Sequence, residues 1–274
     1  MTDRTLDLAP PDIAPQWRVI DRARAVLAAD DRILAGWLAG SFGCGAADSY
    51  SDIDLHCLVR ADCVVPWREL AAEVAGPLVL ASDLPGMIGG YALTPEWLHL
   101  DLIVHPRSSI ELRGLTGILP LYDSTGELPE VPAAQPGPGE PYFPSDVVQF
   151  FFYLLGNLVA TFGRGELIVA YGGILAVRDR LVELMVAERG IRRTSGNKRL
   201  NVFLTEEQRE FLESMPAADV SIDRISAAIR HISAEFIRRG RALAVRSGQV
   251  WPQSLEDATI DHLRRHLGID FREA

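Results

Sequence analysis

The stretch Leu38–Val59, LAGSFGCGAADSYSDIDLHCLV, places a Gly-Ser pair (Gly40, Ser41) ahead of two aspartates, Asp52 and Asp54, that alternate with apolar residues. Successive side chains of a β-strand point to opposite faces of the sheet, so the two carboxylates share one face. Carboxylates held this close repel each other unless a proton or a cation intervenes, and hard oxygen ligands of this kind suit Mg²⁺ or Mn²⁺. The stretch therefore predicts a β-strand that carries a metal site.

The residues ahead of the Gly-Ser pair form an apolar run, Ile33–Leu38, which predicts a first β-strand ending at the pair. Glycine has no side chain in the way, so backbone amides and the Ser41 hydroxyl can face a phosphate group at such a turn. A turn of this kind beside two carboxylates would form one half of a nucleoside triphosphate site. The alternative, a solvated acidic hairpin, is disfavoured because the apolar residues around both aspartates indicate a buried strand, where carboxylates require partners.

The pattern Gly40–Ser41, ten further residues, then Asp-Ile-Asp at Asp52–Asp54 resembles the signature of the polymerase-β-like nucleotidyltransferase superfamily, in particular its aminoglycoside- and lincosamide-modifying members. The resemblance implies a small mixed sheet with these motifs on its first two strands and a third carboxylate on a later strand. Asp101, in the apolar run Trp97–Val104, would be that carboxylate. Beyond this run the likeness is one of architecture only.

The resemblance also implies a role for each acid and a set of cofactors. Asp52 and Asp54 would hold the metal that carries the triphosphate, and Asp101 would either bind a second metal or accept the proton of the attacking hydroxyl. Many antibiotic-modifying members carry glutamate as the third acid, so the role of Asp101 stays open. Two Mg²⁺ ions and ATP, or another nucleoside triphosphate, are the expected cofactor and co-substrate.

A triphosphate also requires cations from the protein. Lys198 is the only lysine in the chain and lies in a glycine-bearing segment, Ser195–Arg199. A compact ammonium on a flexible stem is a common phosphate ligand, so Lys198 joins Gly40 and Ser41 as a candidate for binding the nucleotide. A solvated loop lysine is an equally good interpretation.

Three further residues have weaker signals. His99 precedes Asp101 by two residues on the same predicted strand face, where it could orient a ligand, but packing at the strand edge is the favoured interpretation. Glu166 and Glu183, in predicted helices, are candidates for binding a substrate ammonium.

Composition narrows the class of protein. The chain has 274 residues and a net charge of -10, which disfavours a nucleic-acid partner because such binding relies on Lys and Arg. Its three cysteines lack zinc-type spacing and, with no signal-peptide pattern in the N-terminal residues, favour a cytoplasmic protein. The longest apolar segment, Val147–Phe162, contains polar residues and is short for a membrane span, so no membrane association is expected.

The order of patterns predicts an α/β (α+β) fold, in which a mixed sheet with flanking helices is followed by a C-terminal helical bundle. We expect a nucleotidyltransferase domain at 1–128, a Pro/Gly-rich linker at 129–144 and a helical domain at 145–274 that walls one side of the cleft. The predicted helices span 16–29, 65–75, 147–162, 166–189, 206–215, 222–247 and 255–267.

The sequence therefore favours an enzyme that transfers a nucleoside monophosphate, most often AMP from ATP, to a hydroxyl of a small molecule. An aminoglycoside or lincosamide would fit, since an acidic protein attracts a cationic acceptor. The alternatives are a nucleotidyltransferase that modifies a protein or a tRNA, and a catalytically inactive nucleotide-binding module. Oligomeric state is not predicted.

Overall fold

A computed structural model of the chain describes residues 12–129, 138–192 and 199–271. The chain divides into two compact units, Met1–Gln135 and Pro136–Ala274. The first unit contains the β-sheet, and the second is helical.

In its described residues, the first unit combines six strands with two helices, a one-turn helix and a 3₁₀ turn. Its elements are, in order, α1 (Ala14–Ala29), β1 (Ile33–Leu38), α2 (Gly40–Gly43), β2 (Ile53–Val59), α3 (Trp67–Ala75), β3 (Leu80–Asp83), β4 (Gly89–Leu93), β5 (His99–Pro106), a 3₁₀ turn (Leu112–Gly114) and β6 (Leu119–Asp123).

The strands form one sheet in the order β3-β4-β5-β2-β1-β6. β2 and β5 run parallel to each other, whereas the other four pairs of neighbouring strands in the described sheet run antiparallel. The parallel register places Asp54 opposite Asp101. The predicted mixed sheet with flanking helices is confirmed, and its central pair of strands carries the predicted acids.

Alternation along the strands separates the sheet's two faces. On β2, Ile53, Leu55 and Cys57 are buried in the core that α1 and α3 also line, because both helices repeat apolar residues at helical spacing. The opposite face has a smaller apolar cluster near one end of these strands, made of Ala35, Trp37, Leu58, Leu112, Ile118 and Leu128. The rest of that face carries the polar side chains of β2 and β5.

In its described residues, the second unit consists of five helices and a 3₁₀ turn, which confirms the predicted C-terminal helical region. They are α4 (Ser145–Gly163), α5 (Leu167–Glu188), the 3₁₀ turn (Asn201–Phe203), α6 (Glu206–Glu213), α7 (Ile222–Arg246) and α8 (Gln253–Leu267). Phe151 of α4 stacks on Phe236 of α7 in the core, with ring centroids 3.6 Å apart. Arg239 of α7 is buried in ion pairs with Glu188 and Glu235.

Among the described residues, one helix, α4, is long and apolar enough to cross a membrane by length and composition. It buries Val148, Phe151, Phe152 and Leu155 in the helical core. Burial of this kind is also typical of a core helix, so α4 by itself is weak evidence for a membrane span.

The apolar run at 77–80 predicts a short strand that adjoins β3, whereas β4 and β6 have no counterpart in the sequence-based prediction. β4 begins with Gly89 and Gly90, which read as turn residues, yet a Cβ on Gly90 would collide with the Trp67 ring and the backbone of β3. β6 contains Pro120 and lies at the sheet edge, where proline is tolerated. In both cases a requirement of the tertiary structure overrides a local signal.

Part of the predicted linker 129–144 lies outside the described residues. Within its described end, the Gly139 amide donates to the Arg189 carbonyl, and the Tyr142 amide donates to the Ala187 carbonyl. This segment therefore hydrogen-bonds to the C-terminal end of α5.

Candidate metal centre

The turn after β1 is shaped around a carboxylate. The Ala39 amide donates to the Asp54 carbonyl at 2.9 Å, and Gly40 then adopts a φ of +56° as the chain enters α2. A Cβ at Gly40 would collide with the Asp54 carboxylate. Only glycine meets both requirements without strain, so the Gly-Ser turn and the Asp54 carboxylate are in direct contact.

Two side chains of β5, His99 and Asp101, converge with Asp52, which directly precedes β2. His99 Nε2 lies 2.9 Å from Asp101 Oδ1, and His99 Nδ1 lies 3.6 Å from Asp52 Oδ2. One potential ligand atom from each residue falls within 4.8 Å of the others. The side chains are 20–33% exposed, but the His99 Nε2 and Asp101 Oδ1 atoms are themselves buried, so the cluster is partly open to solvent.

This donor set fits a divalent cation. Two carboxylates and an imidazole are ligands that divalent ions accept. Donor atoms on one ion lie up to about 4.2 Å apart, since each bond is about 2.1 Å long, so small side-chain rotations suffice to place the three groups around it. A cation here would also relieve the repulsion between the Asp52 and Asp101 carboxylates.

The structure brings some of the predicted site residues together. Asp52 and Asp101 belong to the three-residue cluster, whereas Asp54 lies against Gly40 and is not part of that cluster. Ser41 lies in α2, directly after Gly40. Lys198 lies outside the described residues.

His99 lies in this cluster, although the sequence favoured packing at the strand edge. The signal was present, since His99 shares a strand face with Asp101. The missing information was that β5 runs parallel beside β2, which brings the His99 ring to Asp52 as well. Tyr91 of β4 also meets the His99 ring edge-on, with centroids 6.2 Å apart.

A pair of histidines, His56 and His105, lies further along the same sheet face. His56 Nδ1 and His105 Nε2 are 2.9 Å apart, and both rings stack on Trp37. Burial, with a smaller contribution from His105, lowers the pKa of His56 to about 4 against the opposing effect of Asp101. Burial also lowers the pKa of His105. Both rings are therefore neutral at neutral pH and do not compensate the charge of the nearby carboxylates.

Comparison with known proteins gives a distant structural likeness. No protein-family model matches the chain, and no curated protein matches it. Among solved structures, an aminoglycoside 6-adenyltransferase from Bacillus subtilis is similar, with 17% identity and a TM-score of 0.42 over 90% of this chain and 97% of that one. A likeness at this level does not identify what the present chain binds or does.

Proposed function

We propose that the chain is a metal-dependent nucleotidyltransferase that moves a nucleoside monophosphate, AMP from ATP in the favoured case, to a hydroxyl of a small molecule. The observation that carries the proposal is the convergence of Asp52, which directly precedes β2, and Asp101 of the parallel strand β5, with Asp54 held against the Gly40 turn. Three carboxylates and a bare glycine turn on one sheet face supply both parts of a metal–triphosphate site.

In this proposal the acids hold the metal and the turn holds the phosphates. Asp52, Asp54 and Asp101 would bind Mg²⁺ or a similar ion, with two ions in the full complex. The bound ions would stabilise the charge that develops on the attacking and leaving oxygens. Gly40 lets a phosphate approach the backbone, and the Ser41 hydroxyl donates to it. Asp101 has a second possible role, that of accepting the proton of the attacking hydroxyl.

The rest of the assignment extends the sequence-based predictions. Lys198 would bind the triphosphate, and residues 145–274 would form the helical domain that contacts the acceptor, after a catalytic domain at 1–128 and a linker at 129–144. The net charge of -10 supports a cationic small acceptor such as an aminoglycoside, and disfavours nucleic acid. We place the protein in the cytoplasm without a membrane partner, which suits its three free cysteines.

The test is direct. The protein is incubated with each nucleoside triphosphate, Mg²⁺ or Mn²⁺, and a panel of aminoglycosides and lincosamides, and pyrophosphate release is measured together with the mass of the drug. We expect pyrophosphate and a drug heavier by one nucleoside monophosphate for at least one pair. The same assay is run with protein and tRNA acceptors. Nucleotide binding without pyrophosphate release from any pair would instead identify an inactive binding module.

A further inference from the structure

The imidazole of His99 lies between the two carboxylates of the candidate metal centre, with one ring nitrogen facing each. Nε2 faces Asp101 Oδ1 at 2.9 Å, and Nδ1 faces Asp52 Oδ2 at 3.6 Å. The ring is one third exposed, although its Nε2 atom and the Asp101 Oδ1 atom that it faces are both buried. A cation that binds Asp52 and Asp101 together therefore lies close to the His99 ring.

Nitrogen in the donor set changes which ion the site prefers. Mg²⁺ takes oxygen ligands, dehydrates reluctantly and keeps several waters. Imidazole suits transition ions, whose affinity for a given site rises from Mn²⁺ towards Co²⁺ and beyond. A centre of two carboxylates alone would discriminate little in favour of these ions.

We propose that His99 is a direct metal ligand alongside Asp52 and Asp101, and that it makes the centre select a transition-metal ion, Mn²⁺ or Co²⁺, over Mg²⁺. The inference rests on the proposed function only for the view that the centre binds a divalent ion. It revises the expectation of Mg²⁺ that the carboxylates alone support. Tyr91 packs edge-on against the His99 ring and thereby restricts its movement away from the carboxylates.

The same distances are also compatible with a positioning role, in which His99 hydrogen-bonds to the carboxylates and the ion binds oxygen only. The two roles differ in a property that spectroscopy detects. A directly bound imidazole couples its ¹⁴N nucleus to the electron spin of Mn²⁺, whereas a histidine outside the coordination sphere does not give that strong coupling.

The first experiment measures affinity without nucleotide. Metal-free protein is titrated with Mn²⁺, Co²⁺ and Mg²⁺ by calorimetry, for the wild type, His99→Gln and the control His266→Gln. His266 is exposed on α8 beside His262, a second place where imidazoles could collect a transition ion. We expect His99→Gln to weaken Mn²⁺ and Co²⁺ binding about tenfold or more, with a much smaller change for Mg²⁺, and His266→Gln to change neither.

The second experiment needs no variant to be informative. Pulsed electron paramagnetic resonance of the wild-type protein with Mn²⁺ should show directly bound ¹⁴N, which should persist in His266→Gln and disappear in His99→Gln. Circular dichroism of each variant checks that the fold is retained. The proposal is overturned by Mn²⁺ that binds without ¹⁴N coupling, by a coupling that survives in His99→Gln, or by a wild type that does not bind Mn²⁺.

These results are distinguishable from failure of the proposed function. Suppose that Mn²⁺ shows bound ¹⁴N but the protein does not release pyrophosphate with any pair of nucleotide and acceptor. That result would support His99 as a ligand and reject the transferase. Nucleotidyl transfer by a protein whose Mn²⁺ shows no bound nitrogen would do the reverse.

Discussion

At the scale of single residues, replacing an acid of the candidate metal centre by asparagine should lower activity without lowering stability. Asp52→Asn and Asp101→Asn keep the shape of the side chain but remove one of two like charges that lie close together. Repulsion falls, so the melting temperature should hold or rise, while pyrophosphate release should drop about a hundredfold or more as charge stabilisation is lost.

The control for these acids is Asp62→Asn, since Asp62 is exposed in the turn after β2. It should leave both the melting temperature and turnover nearly unchanged. Turnover that survives in Asp52→Asn or Asp101→Asn would remove the acids from the mechanism, and with them the proposed function.

The buried His56 should make the protein sensitive to acid. The pKa of His56 is about 4 in the folded protein against an ordinary value of 6.5, so between these pH values the unfolded chain binds more protons than the folded one. The free energy of unfolding should therefore rise with pH across this interval, by up to about 3 kcal/mol from His56 alone, since one pKa unit corresponds to about 1.4 kcal/mol.

Urea unfolding of the wild type and of His56→Gln over this pH range measures the effect. Glutamine does not titrate but retains polar atoms that can face His105, so the variant should lose less stability on acidification. The exposed His266→Gln serves as the control and should follow the wild type. Parallel pH profiles for all three proteins would show that His56 is not protonated on unfolding.

At the scale of elements, the turn between β1 and β2 depends on Gly40 for two separate reasons. Its φ of +56° favours glycine, and an added Cβ would collide with the Asp54 carboxylate. Gly40→Ala should lower stability by about 1–3 kcal/mol and reduce nucleotide use, because the turn or the carboxylate must move.

Gly45→Ala separates these two causes. Gly45 has a similar φ of +66°, but a Cβ there meets nothing within 4 Å. It should show the backbone cost alone, about 1–2 kcal/mol, with turnover retained. Equal losses of stability and of turnover in the two variants would mean that contact between Gly40 and Asp54 does not shape the site.

At the scale of the whole molecule, the proposed division of labour between the sheet and the helical unit makes nucleotide and acceptor binding separable. Glu166 precedes α5, and Glu183 within α5 pairs with Arg180 at 2.9 Å. If these acids attract a cationic acceptor, Glu166→Lys or Glu183→Lys should weaken acceptor binding and leave ATP binding nearly constant.

Calorimetry with ATP and with the acceptor separately tests this division. The loss should shrink as salt is raised, since attraction between exposed charges is screened over about 10 Å at 0.1 M ionic strength. Glu213→Lys, an exposed acid at the end of α6, controls for net charge. Acceptor affinity that responds equally to all three changes would reflect overall charge rather than a binding surface.

The sequence by itself determined most of the helices and the strands that carry the acidic motifs, but not β4 or β6. Apolar residues at helical spacing predicted α1, α3 and the helices of the second unit, and alternation around Asp52 and Asp54 predicted β2. These features follow from local periodicity, which depends only on residues close together in the sequence.

Only the tertiary structure decided how the site is assembled. The parallel register of β5 beside β2 places Asp54 opposite Asp101 and brings His99 to Asp52, while the Asp54 carboxylate packs against Gly40. Strand partners and register depend on contacts between residues distant in sequence, and a shift of one residue would move every side chain to the other face. The composition of the metal centre, a histidine among the acids, is therefore a property of the folded sheet.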